Sequence, residues 1–340
     1  MCKIKTQILS EKDVAVAAQI LKSGGLVAFP TETVYGLAAN ALNEVAVQKI
    51  FAAKGRPSDN PLIVHISEID EIYNLVSEFP AKAQKLADAF WPGPLTMILK
   101  KSRVVPNIIS GGLDSVAIRL PANSVARKII KAAGCPLAAP SANLSGSPSP
   151  TKTTHVIADL FGKIDAIVDA GNCNVGVEST VISLCADTPK ILRPGAVTPE
   201  QLRNVIGDVE IDAAVLSKLD ENSKPLSPGM KYKHYAPKAK VIILNGSREK
   251  YINFVNGHAA HTVVALCYEE DVKDLKTSAI TFGKENDLKS QAELLFDALR
   301  KIDELNQIEV VYARCPAQNG IGLAVYNRLI RAAGFNIINL

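Results

Sequence analysis

Leu26-Val27-Ala28-Phe29-Pro30-Thr31-Glu32-Thr33-Val34-Tyr35-Gly36-Leu37-Ala38 decides the class of the fold. Its first four residues read as a short buried strand, and the Pro-Thr-Glu-Thr segment that leaves the strand's end offers hydroxyls and open backbone amides. Upstream, Ser10 and Asp13 open a helical pattern that stops at Gly24 and Gly25. Helix, buried strand and polar loop in that order point to an α/β protein whose strand ends carry the chemistry.

Working outward, Asn43 to Ala53 reads as a second helix that delivers Lys54 and Arg56 as exposed cations at its exit. Further strands are expected at Leu62 to Ile66, Leu95 to Leu99, Ser115 to Leu120, Ala166 to Val168, Thr180 to Leu184 and Ile191 to Leu192, with helices near 79–90, 123–133 and 153–160. Strict alternation is missing. That favours a large, twisted mixed sheet over a doubly wound parallel one. Residues 206–239 accumulate Asp, Asn, Ser, Pro and Lys and read as a linker. Beyond them, strands at Val241 to Leu244, Thr262 to Leu266, Ala279 to Thr281 and Val310 to Tyr312 alternate with helices near 247–256, 288–304 and 320–333. The expected organisation is therefore 1–205, a linker at 206–239, and a small parallel-sheet domain at 240–340.

The chain has 340 residues, with 38 basic against 34 acidic side chains and a net charge of +4. So small an excess argues against a general polyanion-binding surface, and any nucleic-acid contact would have to be local. No apolar run is long enough for a membrane span and the N-terminus is charged, which reads as a cytoplasmic protein. Cys2, Cys135, Cys173, Cys185, Cys267 and Cys315 form no Cys-x-x-Cys pair, and the five histidines form no ligand pattern. Neither a disulfide framework nor structural zinc is expected, and most of the thiols should be buried.

Neither a Gly-x-x-x-x-Gly-Lys-Ser/Thr loop nor a Gly-x-Gly-x-x-Gly fingerprint is present. Ser110-Gly111-Gly112-Leu113-Asp114-Ser115 resembles the phosphate loop of ATP pyrophosphatases. The residues after it alternate like a strand, however, so it reads as a glycine turn. Lys54-Gly55-Arg56-Pro57 can be a solvated helix exit or, with the hydroxylic loop, one side of a phosphate grip. Arg119 lies in an otherwise apolar strand and needs an acidic partner or an anionic ligand. His65 ends an apolar run, where a satisfied core histidine is the default. Ser141-Ala142-Asn143 sits at a strand end where α/β proteins place ligands; the alternative role for its Ser or Asn is to cap the helix near Thr153. Trp91-Pro92-Gly93-Pro94 reads as a rigid turn with a buried ring.

Taken in order, Phe29 to Leu37, Lys54-Gly55-Arg56-Pro57 with Asn60-Pro61-Leu62, Trp91-Pro92-Gly93-Pro94-Leu95-Thr96, Arg119-Leu120-Pro121, Ala139-Pro140-Ser141-Ala142-Asn143, Glu178-Ser179-Thr180-Val181 and Arg193-Pro194-Gly195 resemble the YrdC-type domain. The tail is similar to the C-terminal extension of the two-domain class of threonylcarbamoyl-AMP synthases. That resemblance rests on Ser227-Pro228-Gly229-Met230, His234-Tyr235-Ala236-Pro237, Gly322-Leu323-Ala324 and Asn327-Arg328.

The resemblance implies a YrdC-type α/β domain plus a small Rossmann-like one. It also implies conversion of L-threonine, bicarbonate or carbon dioxide, and ATP to threonylcarbamoyl-adenylate and pyrophosphate. A separate transferase would pass the product to tRNA as N6-threonylcarbamoyladenosine. Threonine or its carbamate would then lie at Thr33, His65, Arg119, Ala139, Ser179 and Thr180. ATP, with Mg²⁺ on its phosphates, would lie at Lys54, Arg56, Asn60, Ser115, Ser141, Asn143, Ser149 and Arg193. Lys54 and Arg56 would be the catalytic cations, and Tyr232 would reach back from a linker that closes over the site. Two rival readings are an RNA-binding module and a carbamoyl-adenylate module like that of hydrogenase maturation proteins. The second lacks its acylphosphatase domain and zinc-binding cysteine pairs here.

Overall fold

A computed structural model describes residues 4–217 and 235–340. Two sheets organise them. The larger has 11 strands, ordered Gln7–Ser10, Ala166–Asp169, Val27–Phe29, Gly36–Asn40, Leu137–Ala138, Ile63–His65, Ser115–Arg119, Leu95–Lys100, Thr180–Ser183, Lys190–Arg193 and Glu210–Ile211. Parallel and antiparallel pairs are mixed: Val27–Phe29 runs antiparallel to Gly36–Asn40, whereas Ile63–His65 runs parallel to Ser115–Arg119 with His65 opposite Arg119.

Alternation along the strands divides their side chains between two apolar layers. Val27, Phe29, Ala38 and Val168 pack under helices Val14–Lys22 and Ser124–Ala133. Ala28, Leu37, Val64, Met97, Ile118 and Ile167 pack on the opposite face with helices Glu44–Lys54, Ala81–Phe90, Thr153–Leu160 and Pro199–Ile206. A third, small layer joins Ile63, Ile98, Ala117, Val181 and Leu192 and is covered by Ala214.

The smaller sheet is wholly parallel, ordered Ser278–Thr281, Val263–Cys267, Val310–Arg314, Lys240–Asn245 and Ile337–Asn339. Helices Leu288–Glu304 and Gly322–Ala332 cover one face, and their apolar cluster includes Val34 and Val177 of the larger unit. Helix Arg248–Gly257 covers the other through Tyr251, Ile252 and Val255.

The anticipated helices and central strands lie within two or three residues of these bounds. Strands Gln7–Ser10, Gly36–Asn40 and Ile337–Asn339 were not anticipated: two are short edges, and the third is built of Gly and Ala, which lack strand propensity. The supposed linker starts inside the large sheet, because Glu210–Ile211 pairs with Lys190–Arg193 and a single tight turn follows at Ala213–Val215. Of the rest, 218–234 lies outside the described residues. Gly111 and Gly112 take φ of 59° and 79° and lead into strand Ser115–Arg119, so the pyrophosphatase-like segment is a turn and opens no helix. Trp91 is half-buried rather than buried and donates from Nε1 to Leu95 O at 2.7 Å. The described cysteines are all free, but of these only Cys173 and Cys267 are buried; Cys135 and Cys315 are half-buried and Cys185 is exposed, so the expectation that most thiols are buried does not hold.

At Gly176 the two units pack backbone against backbone. A Cβ there would stand 2.2 Å from Glu293 Cα, on helix Leu288–Glu304, and the residue's φ is +79°. Gly176→Ala should therefore cost about 1–3 kcal/mol and lower the thermal midpoint. An unchanged midpoint would show that the helix does not seat there.

Candidate active site

One stripe of the large sheet collects the polar groups. Because side chains alternate, Ser115 and Arg119 share a face with Ala117, His65 with Ile63, Thr96 with Ile98, and Ser179 with Val181. Ile63, Ala117, Ile98 and Val181 form its apolar floor. His65 and Arg119, opposite one another in the register, stand at the end of that floor.

Arg119 is 4% exposed. Its Nη2 donates to Glu32 Oε1 at 2.6 Å, its Nη1 to Thr33 Oγ1 at 2.8 Å and its Nε to Gly93 O at 3.3 Å. Of the two partners the sequence allowed, an acidic side chain or an anionic ligand, the fold supplies the first in Glu32, three residues beyond the first buried strand. Burial alone would push the Glu32 carboxyl up, and the Arg119 guanidinium more than reverses it. The bond into Thr33 continues through Thr31 Oγ1 at 2.9 Å, which donates to Val34 O at 2.7 Å. A relay of hydroxyls therefore fixes the loop that the opening stretch singled out.

His65 is not a satisfied core histidine. Its Nδ1 is buried with no hydrogen-bond partner among the described residues. Burial, with Arg119 second, holds the ring down at about 3, so it is neutral. Ser179 Oγ lies 2.7 Å from Thr96 Oγ1 and accepts from Arg193 Nη2 at 3.0 Å, while Arg193 Nε donates to Ser179 O at 3.0 Å. Burial brings Arg193 down to about 10, still charged at neutral pH. Thr180 donates its hydroxyl to Val197 O at 2.6 Å, and the Ala139 amide donates to Ile63 O at 3.0 Å.

The second cluster surrounds Ser141 to Ser149. Lys54 is 2% exposed, which corrects its reading as an exposed cation. Its Nζ donates to Ser141 O and Asn143 O at 2.5 Å each, so the ammonium staples the loop. Burial, followed by the charge of Arg56, pushes that ammonium well below its ordinary value. Ser141 Oγ donates to Asn143 Oδ1, and Asn143 Nδ2 donates to Leu144 O and Ser147 O. Lys152, rather than any of these residues, occupies the N-cap of helix Thr153–Leu160, so the loop is no helix cap. Arg56 is half-buried and donates to Pro61 O at 3.2 Å, while Asn60 Oδ1 is buried without a partner among the described residues. Ser115 begins its strand half-buried, at the end away from Arg119. Tyr232 lies outside the described residues.

The two clusters meet at Ser149 and Glu178. Ser149 Oγ donates to Glu178 Oε1 at 2.5 Å, and Arg328 Nε donates to Glu178 Oε2 at 2.8 Å from the smaller unit. Burial opposes ionisation of Glu178, but Arg328 and then Arg193 hold its carboxyl down at about 2. Sequence reasoning assigned no role to Glu32, Glu178 or Arg328. The signal was available for Arg328, since a charge inside Leu323-Ala324-Val325-Tyr326-Asn327-Arg328-Leu329-Ile330 demands a partner just as Arg119 does.

Arg119→Ala strands the Glu32 carboxylate and should cost about 3–5 kcal/mol in urea unfolding, with Arg119→Ala combined with Glu32→Gln recovering most of it. If the single variant unfolds like the parent, the pair is not buried as described. For His65, the unfolded ring takes a proton as pH falls through 6.5, whereas the folded ring waits until about 3, so stability is lost as pH falls across that window. His65→Gln should therefore reduce the slope of unfolding free energy against pH between about 5 and 6.5; an identical slope would contradict a buried neutral ring.

Comparison with known proteins places the chain. A family model covering Sua5, YciO and YrdC, described as Telomere recombination, matches residues 19–195, and a model for the threonylcarbamoyl-AMP synthase C-terminal domain matches residues 197–334. A threonylcarbamoyl-AMP synthase of Pyrococcus abyssi is 45% identical over 338 residues, covering 98% of this chain and 97% of that one. One from Bacillus subtilis is 46% identical over 340 residues with the same coverage. The crystal structure of P. abyssi Sua5 complexed with L-threonine superposes with a TM-score of 0.91 at 44% identity, covering 98% of this chain and 100% of that one. The chain belongs to the Sua5, YciO and YrdC family and carries, beside that domain, the C-terminal domain of the threonylcarbamoyl-AMP synthases.

Proposed function

We propose that this chain is an L-threonylcarbamoyladenylate synthase: it joins L-threonine, bicarbonate or carbon dioxide, and ATP into threonylcarbamoyl-adenylate, releasing pyrophosphate for the benefit of tRNA N6-threonylcarbamoyladenosine formation. The observation that carries this reading is the meeting of two clusters. A hydroxyl and guanidinium stripe adjoins a loop held by Lys54, and the two join through Ser149 and Glu178.

In this reading threonine or its carbamate sits among Thr33, His65, Arg119, Ala139, Ser179 and Thr180. A neutral His65 suits that place, because it offers an acceptor without repelling an ammonium. ATP lies along Arg56, Asn60, Ser115, Ser141, Asn143, Ser149 and Arg193, with Tyr232 as a further contact. Lys54 acts through the loop whose carbonyls it holds. The neutral amine attacks carbon dioxide and gives up a proton to solvent as the carbamate forms; a carbamate oxygen then bonds to the α-phosphorus while the bond from that phosphorus to the pyrophosphate oxygen breaks. Such a transfer depends on positioning and charge neutralisation and needs no protein nucleophile.

Mg²⁺ fits as a passenger of ATP, where it would neutralise phosphate charge. Both oxygens of Glu178 are committed to Ser149 and Arg328, and among the described residues no group of three or more His, Cys, Asp or Glu side chains could hold a metal ion. A carbamate is short-lived in water, so exclusion of solvent has value. The part of the 206–239 stretch beyond Val215 is the proposed closure. In support, Ala236 N donates to Gly146 O at 3.1 Å, and Val215 O accepts from Asn327 Nδ2 at 2.7 Å, so the described residues flanking 218–234 are anchored near the loop and the tail. A separate transferase would consume the product, and any tRNA contact would be local. Among the described residues no helix is long and apolar enough to cross a membrane; a cytoplasmic location belongs to this proposal.

Incubation with ATP, Mg²⁺, bicarbonate and each amino acid in turn tests the reading. Pyrophosphate release should depend on threonine and on bicarbonate; release indifferent to the amino acid would overturn it. Arg56→Ala should reduce turnover by about 10²-fold while barely moving the thermal midpoint.

A further inference from the structure

Helix Gly322–Ala332 belongs to the smaller unit and is apolar over most of its length, yet Arg328 within it has no exposed surface. Nothing in the smaller unit's sheet receives that charge. Nε donates to Glu178 Oε2 at 2.8 Å, Nη2 to Glu178 O at 3.3 Å, and Nη1 to Pro194 O at 2.8 Å. Nη1 also donates to the neighbouring Asn327 Oδ1 at 2.9 Å. One guanidinium thus reaches two separate segments of the larger unit, and in each its contact is one residue from a group assigned to ligand, Ser179 in the first and Arg193 in the second. The other Glu178 oxygen accepts from Ser149.

We propose that Arg328 is a positioning residue for adenylate formation, a guanidinium lent by the tail that holds Glu178 and Pro194 so that Ser149, Ser179 and Arg193 face one cavity. This deepens the synthase reading and rests on it. Burying an ion pair costs desolvation that an apolar side chain of similar volume would avoid, so the pair's geometry, rather than its contribution to stability, accounts for its presence. A planar fork holds five N–H donors in fixed directions and can span two segments of chain, whereas an ammonium offers three donors from a single nitrogen. The neighbouring helix repeats the device from the other side. Arg300 donates from Nη2 to Pro148 O at 2.6 Å and to Asp159 Oδ2 at 2.8 Å, and that same oxygen accepts the Leu144 amide at 3.2 Å. Both ends of the Leu144 to Ser149 segment are therefore tied, directly or through one carboxylate, to arginines of the tail.

The test uses the full chain. Arg328→Met alone strands the Glu178 carboxylate and risks misfolding, so the decisive variant is Arg328→Met combined with Glu178→Gln, which removes both charges and keeps an acceptor for Ser149. Its thermal midpoint should stay near that of the parent, while kcat/KM for threonine-dependent pyrophosphate release falls by about 10²-fold. Arg328→Lys, which keeps the charge and loses the fork, should fall between. Arg248→Met breaks an ion pair made wholly within the tail, with Asp271 and Asp274, and should leave the kinetics unchanged. A double variant that folds and turns over like the parent overturns the proposal and leaves the synthase reading standing. The same holds if its midpoint falls and its kinetics do not. A parent chain that neither releases pyrophosphate nor binds ATP overturns both.

Discussion

Charge taken out of water must find a partner, and that requirement shapes the centre of this molecule. Arg119 sits at the end of a strand whose other neighbours are apolar, so its guanidinium has no solvent to face. Glu32 answers it across the sheet, and the geometry of that answer fixes Thr33 and, through Thr31, the whole turn after the first central strand. Lys54 obeys the same rule with carbonyls instead of a carboxylate, and the Ser141 to Asn143 loop takes its shape from the ammonium it surrounds. Each constraint fixes a loop at a strand end, the place where an α/β sheet can present groups to a ligand.

Much of this was legible in the sequence because the central strands are short, apolar and bounded by clear turn signals. Leu95 to Lys100 and Thr180 to Ser183 could scarcely be anything else. Mixed topology was legible too, from helices that failed to alternate with strands. Where the reading missed, the cause is physical. Gly36–Asn40 is a strand by virtue of its neighbours on both sides rather than its own propensity. Glu210–Ile211 is a strand only because an edge was open beside Lys190–Arg193. A stretch rich in Asp, Asn and Ser looks like a linker whether or not a sheet stands ready to receive it.

For the site, residue types were legible and pairings were not. Arg119 announced that it needed a partner; that Glu32 was the partner depended on a contact across 87 positions. The Lys54 reading failed for a related reason. A lysine at a helix exit looks solvated until a distant loop closes over it, and no local signal reports that closure. Glu178 and Arg328 lie 150 positions apart, one in the loop before strand Thr180–Ser183 and the other on helix Gly322–Ala332 of the smaller unit, so only the folded chain could reveal them as one object.

Val34 and Val177 belong to the apolar cluster of helices Leu288–Glu304 and Gly322–Ala332, although both are residues of the larger unit. The turn that carries Thr33 is thus backed by side chains of the other sheet. Local openings of the two units are then coupled. Heating that loosens the tail helices withdraws the support behind the Thr33 turn while the strands in front of it remain paired, so that turn would lose its order ahead of the sheet that frames it.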